Sequence, residues 1–512
     1  MVFFLDINPL IILLCLLMCI GFLYRYMKDT YTVLERLGIP GPKPIWVFGN
    51  VLEFKGKNVL NVFDDWKNRY GNVYGFYEGF RAGIVVNDVD YAQDILNRYF
   101  DKFGIRTSYR PFIYYPDNLR LIEIDGDHWK NQRIVFTKML NSPITLKLVI
   151  DKMQVTAKYM LQQISDELKT VSDGINISSA IDQYVSDGVI RIVLNMNDER
   201  FELYKHSFYD YEIQSNLSAS ADNEVGGLAR LFPRLAPLLK CADKKYKYAH
   251  EKVVKILREF VEELSSRRNN NKDSQEVHDS LFAFLLSSKV PCRDADGRSA
   301  HRNLSTDEII AHMLTLLSEI HSTTTAMILF ILYELACHQD CQDKLYDEIK
   351  NMGDQDEDIS SEQLKKMEYF DMLFNETYRH HPIAPGVSRV CTETCTIRDV
   401  QFQKGMVVRV MTSPLYKDAS LFNLPEAFLP ERFSEESRRN CHQYSFLPFG
   451  QGPRMCPGQK LAIIKVKIAV ISIVKNYRLT TCKNTETPLK QALRPSLTPA
   501  NGVCIQLTKR AS

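Results

Sequence analysis

What this sequence has least of is net charge. Its 64 Lys and Arg residues against 62 Asp and Glu leave +2 over 512 residues, a balance with no global bias towards nucleic acid. No segment recurs at a fixed period, so an array of repeats is excluded. Zinc-type spacing is missing as well. The twelve cysteines are scattered at 15, 19, 241, 292, 337, 341, 391, 395, 441, 456, 482 and 504. Cys337/Cys341 and Cys391/Cys395 are each separated by three residues, and no histidine spacing completes a metal site. Most of these thiols read as small buried hydrophobes. The N-terminus lacks the Arg and Ser of a mitochondrial transit peptide, and no small-residue cleavage site follows its apolar run.

That run is present instead as an anchor. "MVFFLDINPLIILLCLLMCIGFLY" (1–24) carries one charge, Asp6, and counted from Val2 it reaches about the 20 residues that a bilayer needs. Arg25 and Lys28 follow, which favours a cytosolic body. The expected organisation is an anchor at 1–24, a basic, proline-rich hinge at 25–44 and a body at 45–512. Cytosolic thiols stay reduced, and the sequons at Asn176, Asn216, Asn303 and Asn375 stay unmodified. Composition of the body is ordinary for a globular protein, 45% hydrophobic and 25% charged.

Alternation of aromatic, β-branched and turn residues over 72–88 predicts a hairpin. From about 90 to 385 the segments read mostly as helical. Ser305 and Glu308 form a capping box before an apolar stretch of about thirty residues, which predicts one long helix buried through the centre of the domain. His312, Glu319 and His321 interrupt it and argue against a second membrane span. The polar segment 265–276 reads as a surface loop. Residues 493–509 read as a hairpin turned at "PANG". The fold class expected is mainly α with small β-sheets near both ends (α+β), in one large domain.

"FLPFGQGPRMCPGQKLA" (446–462) sets one cysteine, Cys456, on a glycine- and proline-rich loop ahead of a helical run. As a nucleophile the thiol would want a partnered histidine, and nothing marks His442 as one. A single cysteine cannot build a zinc or iron–sulfur site, but it suffices as the axial ligand of haem, whose other ligands come from the porphyrin. Gly452 and Gly458 let backbone approach a flat macrocycle, and the following helix dipole favours an anionic sulfur. Phe449 can pack near the sulfur, and Arg454 can reach a propionate. A glycine-rich turn around a buried thiol is the plainer alternative.

"FGQGPRMCPG" (449–458) resembles the cysteine-ligand signature of the cytochrome P-450 family, Phe-x-x-Gly-x-Arg-x-Cys-x-Gly. Three further segments resemble family motifs in the same order. "GDHWKNQRIVF" (126–136) carries Trp129 and Arg133, which the resemblance assigns to a haem propionate. "NETYRHHP" (375–382) carries Glu376 and Arg379 as the Glu-x-x-Arg pair, and "LPERF" (429–433) supplies Arg432 as the third member of that ion network. "GVSRV" (386–390) adds Arg389 as another propionate partner, with Arg110 in "YRPF" a weaker one. The resemblance covers nearly the whole chain and looks most like the microsomal, drug- and steroid-oxidising branch. It implies the family fold and haem b held by a Cys456 thiolate. It also implies electrons from NADPH through a membrane-bound reductase, O2 as co-substrate, a lipophilic substrate and an endoplasmic reticulum membrane location. Lys130 and Lys460 are basic residues available on the expected reductase face. "GGLARLFPRLAPLLKCADKKYKY" (226–248) is expected to be an amphipathic lid dipping into the bilayer, against a plain helix pair broken by Pro233 and Pro237.

The family pattern breaks in the long helix. Counting back from "YELA" (333–336) puts the oxygen-side threonine on Thr323. Glu319 then replaces a small residue, Ile320 the kink glycine and Ser322 the acid. Glu319 is the relocated carboxylate, which desolvation over the haem would turn into a proton donor. Three readings stay open: a monooxygenase with a rerouted proton path, a haem-thiolate isomerase or dehydratase acting on a lipid peroxide without O2, and a haem-based ligand-binding protein.

Overall fold

The structure, a computed structural model, describes residues 9–108, 110–171, 173–195, 198–220, 223–269, 280–293, 299–353, 358–439, 441–494 and 496–510. The chain forms two compact units, Met1–Thr107 with Gly386–Pro414, and Ser108–Pro385 with Leu415–Ser512.

The first unit starts with helix α1 (Pro9–Tyr31). Residues 1–8 of the expected anchor lie outside the described residues; from Leu13 to Tyr26 the apolar side chains of α1 are exposed, Phe22 by 75%. Residues of the expected hinge pack on the first unit. Gly75 N donates to Pro40 O at 2.8 Å, and a Cβ on Gly41 would stand 2.3 Å from Gly75 O. Helix α2 (Val59–Tyr70) begins at Asn58, whose side chain accepts from Leu60 N. The expected hairpin is present: Val73–Glu78 pairs antiparallel with Arg81–Val86. Val407–Met411 continues the sheet in parallel and Gly386–Val390 closes it antiparallel. Alternate side chains of these strands meet α2 in a core of Val62, Phe63, Trp66, Tyr74, Phe76, Val85 and Met411.

Over 108–385 the second unit is helical, as the sequence pattern predicts, apart from the hairpin Lys289–Arg293 with Ser299–Asn303 and the short strand Ile175–Asn176. Its principal helices are α3 (Gly126–Leu140), α4 (Pro143–Thr170), α5 (Ser178–Leu194) and α6 (Asp198–Ala219). They continue with α7 (Lys244–Asn269), α8 (Thr306–Glu319), α9 (His321–Cys337), α10 (Glu368–His380) and α11 (Gln459–Asn476). Helix α7 runs to Asn269, so 265–269 is helix where a loop was expected; 270–276 lies outside the described residues. The capping box at Ser305 and Glu308 forms with both bonds in place. Thr306–Cys337 is long and apolar enough to cross a membrane, yet 83% of its apolar window is buried, as a core helix requires. The expected single helix is interrupted at Ile320, which separates α8 from α9. The hairpin expected over 493–509 does not form as one ladder. Ser496–Pro499 turns back on Gln491–Arg494, whereas Cys504–Lys509 pairs with Tyr477–Thr480. Gly502 at φ +74° carries the chain from one sheet to the other.

Candidate functional site

The cysteine loop is a tight backbone structure. Gly450 and Gly452 have φ of +70° and +78°, a region in which an L side chain is strained. Cys456 N donates to Phe449 O at 2.8 Å and Met455 N to Gly452 O at 3.0 Å. These bonds set the partly exposed Cys456 just before α11, whose N-cap is Gly458. An ideal Cβ at Gly458 would lie 4.0 Å from Cys456 Sγ, at ordinary contact distance. Phe449 stacks on Phe374 of α10, centroids 6.1 Å apart and planes 9° from parallel.

Helix α3 brings Trp129 and Arg133 to the same loop. Arg133 Nη2 donates to Met455 O at 2.7 Å. Arg454 lies 4.3 Å over the Trp129 ring and donates to Ile124 O at 2.9 Å. Two guanidiniums and an indole, one turn apart on α3 and two residues before the thiol, thus converge from segments over 300 residues apart. Among the described residues no group of three or more His, Cys, Asp or Glu could hold a metal ion by itself. One thiolate beside a cationic corner fits a macrocycle that brings its own equatorial nitrogens and two carboxylates. Arg389 lies in the first unit, fully buried, with Nη1 donating to Ser388 O at 2.8 Å.

The Glu-x-x-Arg pair is in place on α10. Glu376 accepts from Arg379 Nε (2.8 Å) and Nη2 (2.9 Å), from Arg432 Nε (3.0 Å) and from Leu429 N (2.8 Å). Burial pushes its carboxyl up, but the Arg379 and His380 side chains and the Leu429 amide outweigh that and hold it at about 2.

On the central helix Thr323 is the one exposed position between His321 and Ala336, while Thr324 and Thr325 are buried. Its Oγ1 donates back to Glu319 O at 3.0 Å, so the threonine caps the interruption. Glu319, four residues earlier on the same face, is held by Arg120 Nη2 at 2.7 Å with Arg110 Nη2 at 3.6 Å. The side chain expected as a proton donor thus faces two guanidiniums. Arg110, a weaker propionate candidate in the sequence, contacts Ser215 (3.0 Å) and Tyr246 (3.3 Å).

Sequence reasoning missed the polar cluster behind Glu319. Asp117 and Arg120 are wholly buried, 3.7 Å apart. Tyr246 donates to Asp117 at 2.9 Å and His250 stands 3.4 Å away. It also missed Lys465 on α11. Burial pushes this amine down to about 7 despite the opposing charge of Cys456. A lysine inside the apolar run "LAIIKVKIAVISIV" was the available signal.

A sequence model of the family described as Cytochrome P-450 matches residues 39–505. The chain belongs to the cytochrome P-450 family. Among curated relatives, cytochrome P-450 3A12 of Canis lupus familiaris is 28% identical over 97% of this chain and 96% of its own length. Cytochrome P-450 3A9 of Rattus norvegicus is 28% identical with the same coverage. Lithocholate 6-beta-hydroxylase of Mesocricetus auratus is 27% identical over 96% of each chain. This cytochrome P-450 accordingly has the family's α+β fold and is an oxidoreductase of the haem monooxygenase class. Its cofactor is haem b with a thiolate ligand, and its electrons come from NADPH through a reductase.

Proposed function

We propose that this cytochrome P-450 inserts one oxygen atom from O2 into a lipophilic substrate, with Cys456 as the axial thiolate. The observation that carries the reading is the loop that presents Cys456 at the start of α11 with Trp129, Arg133 and Arg454 beside it. Haem b bound there supplies the oxygen-activating chemistry. The chain's own residues do the rest. Glycines 452 and 458 keep the approach to the sulfur narrow but open, and Phe449 limits water at it. Trp129, Arg133 and Arg454 take the propionates. Glu376, Arg379 and Arg432 hold the loop's support and touch no substrate. Thr323 Oγ1, on the open face of the central helix, positions water and a proton, and Glu319 fixes the charge of that face.

Lithocholate, named for one relative, is a steroid acid; a sterol-like or other bulky lipophile is the substrate class that likeness favours here. The exposed apolar side chains of α1, and of Leu235, Leu238 and Tyr248 in the proposed lid, support a protein seated on the endoplasmic reticulum membrane, anchored by 1–24 with its body in the cytosol. The reductase is then a membrane neighbour, docking near Lys130 and Lys460. Ile320 and Ser322 in place of glycine and acid favour one second reading, a peroxide isomerase or dehydratase.

The test is spectral, then stoichiometric. The reduced carbon-monoxide complex should show the thiolate Soret band, and Cys456→Ala should abolish it; an unchanged spectrum in the variant rejects the ligand. With reductase present, NADPH and O2 should be consumed as a lipophile is hydroxylated. Conversion of a lipid hydroperoxide without NADPH or O2 would replace the monooxygenase reading by the second one.

A further inference from the structure

The central helix is interrupted at Ile320, a residue with neither the freedom of glycine nor the missing N–H of proline. Ile320 keeps helical angles (φ −84°, ψ −39°), so backbone geometry alone does not mark the break. What is unusual lies next to it. His321, the first residue of α9, is buried with 8% exposure and turns away from the open face of Glu319 and Thr323. Its Nε2 stands 3.2 Å from Asp182 Oδ1 on α5, a carboxylate that is 58% exposed. The other carboxylate whose charge acts on it is Glu212 of α6, 3% exposed, which accepts from Ser186 Oγ at 2.7 Å through one oxygen. The second oxygen, Glu212 Oε1, is buried with no hydrogen-bond partner among the described residues. A buried carboxylate oxygen without a donor is costly unless a positive charge stands near it.

We propose that His321 is a positioning residue: a cation held between Asp182 and Glu212, it pins the interruption at Ile320 to α5 and α6 and so fixes which way Glu319 and Thr323 face. Helix α9 carries no acidic residue in its first turn, so the attraction comes from the neighbouring helices. The charged groups that act on His321 are Asp182 from α5 and Glu212 from α6, and Asp187 from α5 acts in turn on Glu212. Burial pushes the imidazole down, but Glu212 and Asp182 outweigh it and raise His321 to about 9. Because the folded value lies above the ordinary 6.5, the clamp is fully present below that pH and is lost as pH rises through about 9. Burial acts on Glu212 in the opposite sense, raising it, and the His321 charge lowers it again.

The inference rests on reading Thr323 as the oxygen-side residue, but its test reads helix order rather than turnover, so the two fail separately. Amide hydrogen exchange is followed over peptides spanning 314–326 of the full-length, haem-loaded protein, corrected for intrinsic rates. At neutral pH, His321→Gln should speed exchange about tenfold or more, and His321→Lys, which keeps the charge, should stay close to the wild type. At about pH 10 the wild type should loosen to the level of His321→Gln. Asp182→Asn, at an exposed position, should lower the pH at which the wild type loosens, and it carries the test if His321→Gln does not fold. Exchange that is equal in wild type and His321→Gln, or His321→Lys as loose as His321→Gln, overturns the proposal.

Discussion

Glu376 has no solvent exposure and yet is ionised, because four N–H groups from Arg379, Arg432 and Leu429 point at its two oxygens. Removing it would leave Arg379, itself 3% exposed, and Arg432 facing each other without an anion. Breaking a buried network from one side costs about 3–5 kcal/mol. Glu376→Gln is therefore expected to lower the unfolding free energy by about that much and to reduce haem content, read by denaturant unfolding and by absorbance per protein. Arg379→Lys should also fail to rescue, since one ammonium cannot reproduce the forked pair of bonds. The same residue sets part of the acid limit. Its carboxyl is lowered from 4.5 to about 2. Its stabilisation is thus present above 4.5 and is lost as pH falls through about 2. Glu334, buried against His338 and His381, and Glu308, bonded by Arg302, are lowered to about 2 for the same kind of reason, although burial alone would raise them. Acid unfolding should steepen in this window and begin earlier in a variant that already lacks one of the three.

At the scale of elements, the central helix shows what a sequence can and cannot announce. Its start was legible because a capping box is a local code, two side chains three residues apart. The pairs on α3 and α10 were legible through the family resemblance, and their spacing of three or four residues puts each pair on one helix face. The partner of Glu319 was not, since Arg120 comes from a loop 199 positions upstream, and no local pattern encodes a contact of that range. His250 and Tyr246 on α7 were hidden likewise, and so was the strand switch at 500–503, where the turn was read correctly but its two strands join different sheets. The Arg120 cluster can be tested as a unit. Asp117 is held below the ordinary carboxylate range although burial raises it, because His250 and the charges of Arg120 and Arg110 prevail. Arg120→Met would strand Asp117 and Glu319 together, and a loss of about 3–5 kcal/mol is expected. Adding Glu319→Leu should recover part of it, and the double-mutant cycle should give a coupling of about 1–3 kcal/mol. A coupling near zero would mean that the 2.7 Å bond does not fix Glu319.

For the molecule as a whole, two separate apolar surfaces bear on where it resides. One is α1, with Leu13, Leu17, Met18, Ile20 and Phe22 all more than half exposed. The other is the segment 226–248, where Leu238 and Tyr248 are exposed by 72% and 67% and Lys244, Lys245 and Lys247 are exposed beside them. An apolar strip edged by lysines is the pattern of a helix that lies in a lipid interface. The two surfaces differ in what they can sustain. A span of about 20 apolar residues holds a protein in a bilayer irreversibly, whereas a few interfacial side chains bind reversibly. Deleting residues 3–24 should therefore convert the protein from detergent-dependent to salt- and dilution-sensitive membrane association, with the reduced carbon-monoxide spectrum unchanged, because the cysteine loop draws on none of those residues. In that shortened protein, Leu238→Lys with Tyr248→Lys should cut co-sedimentation with phosphatidylcholine vesicles about tenfold or more, each change removing a buried apolar side chain at about 1.5–3 kcal/mol. Equal binding by the doubly substituted protein would show that the 226–248 segment does not carry the association and is an ordinary helix pair broken by Pro233 and Pro237.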